Sequence, residues 1–168
     1  VEVVRILLAR GAHVDATETS RGQTALMWAV SEAHLDAART LIAHGADVNA
    51  RATSGFTPLM FGVRHGDLDV SRMLLARGAD LNGAAADGTT ALLIATVRGY
   101  PDLTALLLNA GADANASGTG YTALHWAAGS WETELTGEFG LAAPTSEWAV
   151  LAGLTGEAKL ELVSTLLA

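Results

Sequence analysis

Five histidines, His13, His34, His44, His65 and His125, are the side chains best suited to bind a metal ion or move a proton. Either use requires them to converge, usually through short spacings on one helix face or across one turn. No such spacing occurs, and with no cysteine in the chain there is no thiolate site, disulfide or thiol nucleophile. Gly118-Thr119-Gly120-Tyr121-Thr122-Ala123 fits Gly-x-Gly-x-x-Ala, whose glycines can bring backbone donors up to a pyrophosphate. That use needs a buried strand before it and a parallel β-α-β unit around it, and the flanking sequence reads as neither. Glu132, Glu134, Glu138, Glu147 and Glu157 share a stretch without Lys, Arg or His. Two carboxylates facing one another across a cleft would suit glycoside hydrolysis, but a solvated acidic loop or one docked on a basic partner is the simpler use. No Gly-x-Ser-x-Gly elbow or phosphate loop is present. The sequence therefore predicts a non-enzymatic chain with no catalytic residues, no cofactor and no metal.

Charge and hydropathy narrow the classes further. Half of the 168 residues are apolar, enough for a packed core. The net charge of −8 works against non-specific binding to nucleic acid or anionic membrane and favours a neutral or basic partner surface. No apolar run approaches the roughly 18 to 20 residues of a membrane-spanning helix, so no membrane insertion is expected. Arg outnumbers Lys nine to one, a bias expected of GC-rich coding and hence of a bacterial source.

A repeat positions the candidate residues. Gly45-Ala46-Asp47-Val48-Asn49-Ala50 recurs in variant form at Gly11, Gly78 and Gly111, a spacing of 34, 33 and 33 residues. A period of this length means stacked copies of one small unit that share a continuous core. Each unit opens on a turn, Gly22, Gly55, Gly88 or Gly120, followed two residues later by Thr24, Thr57, Thr90 or Thr122. The threonines are placed to cap a helix, and Pro58 sits where its missing N–H costs nothing. A second helix ends in a Leu-Leu or Leu-Ile pair and carries an acid near its start, Glu2, Asp36, Asp69, Asp102 or Glu161, where the helix dipole favours negative charge. The glycine of Gly-Ala-Asp then stops that helix in a left-handed conformation.

In these residues the chain resembles the ankyrin repeat family. Its Thr-Pro-Leu-His-x-Ala signature is approached by Thr57-Pro58-Leu59-Met60-Phe61-Gly62 and by Thr122-Ala123-Leu124-His125-Trp126-Ala127. Alanine replaces the proline at Ala25, Ala91 and Ala123, and Gly62 replaces the alanine, at an expected cost of about 1 kcal/mol to its helix. The resemblance implies an all-α solenoid with β-hairpin-like loops, in which loop tips and short first helices form a concave protein-binding groove. The units are then residues 1–16 (the second half of a repeat), 17–50, 51–83 and 84–116 (complete repeats), and 117–168, interrupted by an insertion at about 131–157 and cut short at its end. Both ends read as cuts through a longer chain, with open helix faces that invite end-to-end association.

The expected function is a non-enzymatic interaction module that binds a protein or peptide. The alternative is a regulatory or targeting segment of a larger multidomain enzyme. Candidate contacts at the tips are Arg21, Gln23, Arg51, Phe56, Asp87, Thr89 and Tyr121. After the first helices come Ser31, Glu32, Arg64, His65, Val97 and Arg98, and Trp131 and Trp148 stand in the insertion, where they either touch a partner or cover the stack. Trp28, Phe61, Ile94 and Trp126 share one position in successive first helices and are expected to pack in the core.

Overall fold

A computed structural model describes residues 1–118, 120–128 and 156–167. Among the described residues the order is α1 (Glu2–Ala9), α2 (Ala25–Ser31), α3 (Leu35–Ala43), α4 (Pro58–His65), α5 (Leu68–Ala76), α6 (Ala91–Val97), α7 (Pro101–Asn109), α8 (Ala123–Ala128) and α9 (Gly156–Leu167). Short helices α2, α4, α6 and α8 pack side by side, and each of the first three also packs on the helix that follows it. The second helices of the units, α1, α3, α5, α7 and α9, each at least as long as any of the short ones, form the second layer, with α9 against both α7 and α8.

The expected punctuation is in place. Thr24, Thr57 and Thr90 accept from the N–H groups of Met27, Met60 and Leu93 at 3.3, 3.4 and 3.2 Å, satisfying donors that a helix start leaves open. Gly45 is left-handed (φ 88°) and its N–H bonds to the Ile42 carbonyl at 3.0 Å, while the Ala46 N–H reaches back to Leu41 at 3.0 Å. That paired return terminates α3, and it repeats at Gly11, Gly78 and Gly111. Glu2, Asp36, Asp69 and Asp102 lie in first turns as expected. Glu161 does not, because α9 starts at Gly156 and an additional turn precedes it.

The core runs along the contact between layers, through Leu26, Leu59 and Leu92 of the short helices and Leu41, Leu74 and Leu107 of the long ones, all buried. Gly62 belongs to this packing. A Cβ there would come within 3.2 Å of Val30 Cγ1 and Val70 Cγ1, so the glycine lets α4 approach its neighbours and is not merely a loss of helix propensity. One expectation of burial fails. Phe61 and Ile94 are buried and Trp126 is half-buried, but Trp28 is 52% exposed. Phe61 and Ile94 each follow a unit that supplies a short helix (α2 before α4, α4 before α6), whereas among the described residues only α1, the second helix of its unit, precedes α2.

Between helices the chain makes two ladders. The tips are hairpin-like, with antiparallel bridges Thr17–Thr24 and Ala84–Thr90, and successive tips pair through Thr53 N–H to Arg21 O at 2.8 Å and Ala86 N–H to Ser54 O at 3.3 Å. They approach so closely that a Cβ on Gly55 would lie 2.9 Å from Ala86 N. At the other end of each unit, Asn49 donates from Nδ2 to Gly78 O at 3.1 Å and accepts from Asp80 N–H at 2.7 Å. Asn82 does the same with Gly111 O at 3.5 Å and Asp113 N–H at 2.9 Å.

Candidate functional site

The side of the stack made by tips and short helices is continuous, because side chains bridge from one to the other. In the second unit the tip ring of Phe56 meets the helix ring of Phe61 edge-on, centroids 5.7 Å apart, and the Arg64 guanidinium sits 5.3 Å from the Phe61 centroid. In the fourth unit Tyr121 meets Trp126 at 5.9 Å and His125 at 6.1 Å, both edge-on. His125 Nδ1 accepts from the Thr122 N–H at 3.3 Å and lies 2.7 Å from the Thr122 hydroxyl, tying the start of α8 to its own first turn. Such edge-to-face pairs contribute about 0.5–1.5 kcal/mol beyond area burial, so these rings hold tip and helix in one arrangement.

The candidate residues divide by environment. Arg21 and His65 are exposed, Gln23, Phe56, Arg64 and Arg98 are half-buried, and Tyr121 is 38% exposed. Arg51 is exposed but engaged, donating from Nη1 to Gly55 O at 3.3 Å and to Ala84 O at 2.7 Å, so it ties its own tip to the next. Thr89 is 1% exposed and is corrected from contact residue to framework: its carbonyl accepts from Ala85 N–H at 2.8 Å and its N–H bonds to Asp87 Oδ1 at 2.9 Å, which folds the side chain under the tip. Val97, the last residue of α6, is buried as well, at 7% exposed. Trp131 and Trp148, with the insertion at about 131–157, lie outside the described residues.

The first tip contains a feature that sequence reasoning missed. The Glu18 carboxylate accepts from the N–H groups of Ser20, Arg21 and Gln23 at 2.6, 2.6 and 3.2 Å. The backbone hydrogen bond from Gln23, followed by those from Ser20 and Arg21, holds its carboxyl below the ordinary range against the opposing effect of desolvation. An acid three residues before a tip arginine was the available signal. His65 lines a shallow depression with Gly66, Asp67, Leu68 and Asp69 at the turn between α4 and α5. Among the described residues no group of three or more His, Cys, Asp or Glu is arranged to hold a metal ion, and no helix is long and apolar enough to cross a membrane.

A repeated frame that varies at its tips and short-helix ends defines a repeat-built binding scaffold. The family model of ankyrin repeats (three copies) matches residues 1–85 and again 81–135, and the chain belongs to that family. Ankyrin repeats generally act as non-enzymatic modules that mediate protein–protein interaction. Among individual proteins, the B-cell lymphoma 3 protein homolog of Mus musculus is 43% identical over 54 residues, which is 32% of this chain and 12% of that protein.

Proposed function

We propose that this chain holds a protein or peptide in the groove formed by its tips and short helices. The observation that carries the reading is the ring contact between tip and helix, Phe56 with Phe61 and Tyr121 with Trp126, which joins two sets of variable residues into one surface. Aromatic and arginine side chains concentrate at interfaces, and here they occupy positions that differ between units on a frame that does not. Gln23, Phe56 and Tyr121 share one tip position, and Glu32, His65 and Arg98 share one helix-end position. The same frame repeated with different side chains is a means of recognising an extended partner one unit at a time. In this reading the insertion at about 131–157, with Trp131 and Trp148, interrupts the fourth unit and either touches the partner or covers the stack.

Site-specific photocrosslinking in the organism's own extract tests the reading. A crosslinker at Gln23 or His65 should trap a discrete partner, and one at Arg72, exposed on long helix α5, should not. The same adducts from all three positions would contradict a groove-bound partner. Replacing residues 131–155 by a short connection should change the adducts if the insertion takes part.

A further inference from the structure

We infer that Asn82 is a site of self-modification, at which the Gly83 amide nitrogen attacks the Asn82 side-chain amide and the product weakens the joint between the second and third units. The chain's four asparagines, Asn49, Asn82, Asn109 and Asn115, are followed by Ala50, Gly83, Ala110 and Ala116, so Asn82 alone precedes a glycine. A nitrogen one residue on is already close to the amide carbon, and without a Cβ nothing crowds its approach. The turn itself adds a second reason. In the corresponding turns Ala16, Ala50 and Ala116 donate their N–H to the carbonyls of His13, Asp47 and Asp113 at 3.1, 3.3 and 3.2 Å. Among the described residues Gly83 N–H makes no such bond to Asp80 O, so the attacking nitrogen is not held in the turn.

The side chain under attack is also loosely held. Asn82 Nδ2 lies 3.5 Å from Gly111 O, at the outer limit of a hydrogen bond, against 3.1 Å for Asn49 on Gly78 O. Its own N–H is 3.1 Å from Asp80 Oδ1, against 2.8 Å from Asn49 to Asp47. Gly83 is buried, but the attack is intramolecular, and Asn82 is exposed to the water that follows. Gly83 N bonds to Asn82 Cγ, the Cγ–Nδ2 bond breaks, and ammonia leaves with the proton that Gly83 N gives up, closing a cyclic imide. One water then opens the ring, at Cγ to give aspartate or at the main-chain carbonyl to give isoaspartate, with no change of oxidation state. Both products set a carboxylate, which cannot donate, where Nδ2 faced Gly111 O, in the neighbourhood of Asp80 and Asp113. Asp15 already shows the reduced tie, accepting from Asp47 N–H without donating in return.

The whole chain, kept folded for days in mildly alkaline buffer made with heavy-oxygen water, should take up the label at Asn82, read by mass spectrometry after digestion in acid, where ring closure is slow. Asn82 should convert severalfold faster than Asn49 or Asn115, and a protein isoaspartyl methyltransferase should find isoaspartate in its peptide. Gly83→Ala supplies the alanine that the other units carry, and its Cβ would meet only side-chain ends, Asp80 Oδ2 at 2.8 Å and Arg51 Nη2 at 3.2 Å, among its nearest neighbours. With native circular dichroism, that variant should slow Asn82 to the rate of the other asparagines. Aged protein and freshly made Asn82→Asp should both unfold at a lower urea midpoint than fresh protein. Conversion of Asn82 no faster than that of Asn49, or undiminished in Gly83→Ala, overturns the site. Conversion that leaves the midpoint of aged protein where it was overturns the weakening of the joint.

Discussion

At Ala33 the backbone is left-handed (φ 54°), in the position that Gly66 and Gly99 occupy in the next two units at φ 87° and 67°. The turn is enforced by its hydrogen bonds, His34 N–H to Ala29 O at 2.8 Å and Ala33 N–H to Val30 O at 3.2 Å, which close α2 as the glycines close α4 and α6. A Cβ in this conformation costs roughly 1–2 kcal/mol, and the extra freedom of glycine in the unfolded chain returns part of that. Ala33→Gly should therefore stabilise the protein by about 0.5–1 kcal/mol, read as a higher urea midpoint at unchanged slope, and a lower midpoint would contradict this account. The helix stops at Gly11, Gly45, Gly78 and Gly111 were legible because glycine itself marks the geometry, whereas alanine after a helix reads as more helix. Thr89 was misread for a related reason: a threonine beside a turn glycine looks like surface, and only the closure of the tip over it shows that it is framework.

Among the elements, helices and caps could be read locally and the ladders could not. Thr57 caps α4 through an N–H three residues on, a relation contained in a few letters of sequence. The side-chain amides of Asn49 and Asn82 have no partner within a few letters of sequence, yet each joins two units through partners 29 and 31 residues away. Asp15 stands at the corresponding place in the opening half-unit and accepts from Asp47 N–H, at 2.9 Å, without a matching donation, since a carboxylate has no donor for a carbonyl. Asn82→Ala removes a donor and an acceptor that tie the second unit (residues 51–83) to the third (residues 84–116) and should cost about 1–2 kcal/mol. Asp15→Ala removes one contact and should cost less. Equal urea midpoints for the two variants would show that the asparagine ladder does not couple the units.

The whole molecule is a stack whose stability comes from units and the interfaces between them, so its N-terminal face shows what an interface is worth. Val3 is 68% exposed and Leu7 55%, although their counterparts Val70 and Leu103, and Leu41, Leu74 and Leu107, are buried. In later units each long helix is covered by the short helix of its own unit, α3 by α2, α5 by α4 and α7 by α6, and among the described residues α1 has no such mate. A copy of residues 90–100 fused ahead of Val1 would place a short helix on α1 in register, because Glu2 corresponds to Asp102. Burying Val3, Leu7 and the exposed face of Trp28 contributes on the order of 1 kcal/mol each, offset in large part by ordering the added residues. A net gain of about 1 kcal/mol would raise Tm by roughly 2–4 °C. The emission of Trp28, isolated by comparison with Trp28→Phe, should shift to the blue, and a copy with Leu92 and Leu93 replaced by Ser should do neither. A rise in Tm without the emission shift would locate the added helix away from α2. An emission shift without the rise would mean that α1 and α2 unfold apart from the remaining units, so that covering them leaves the main transition where it was.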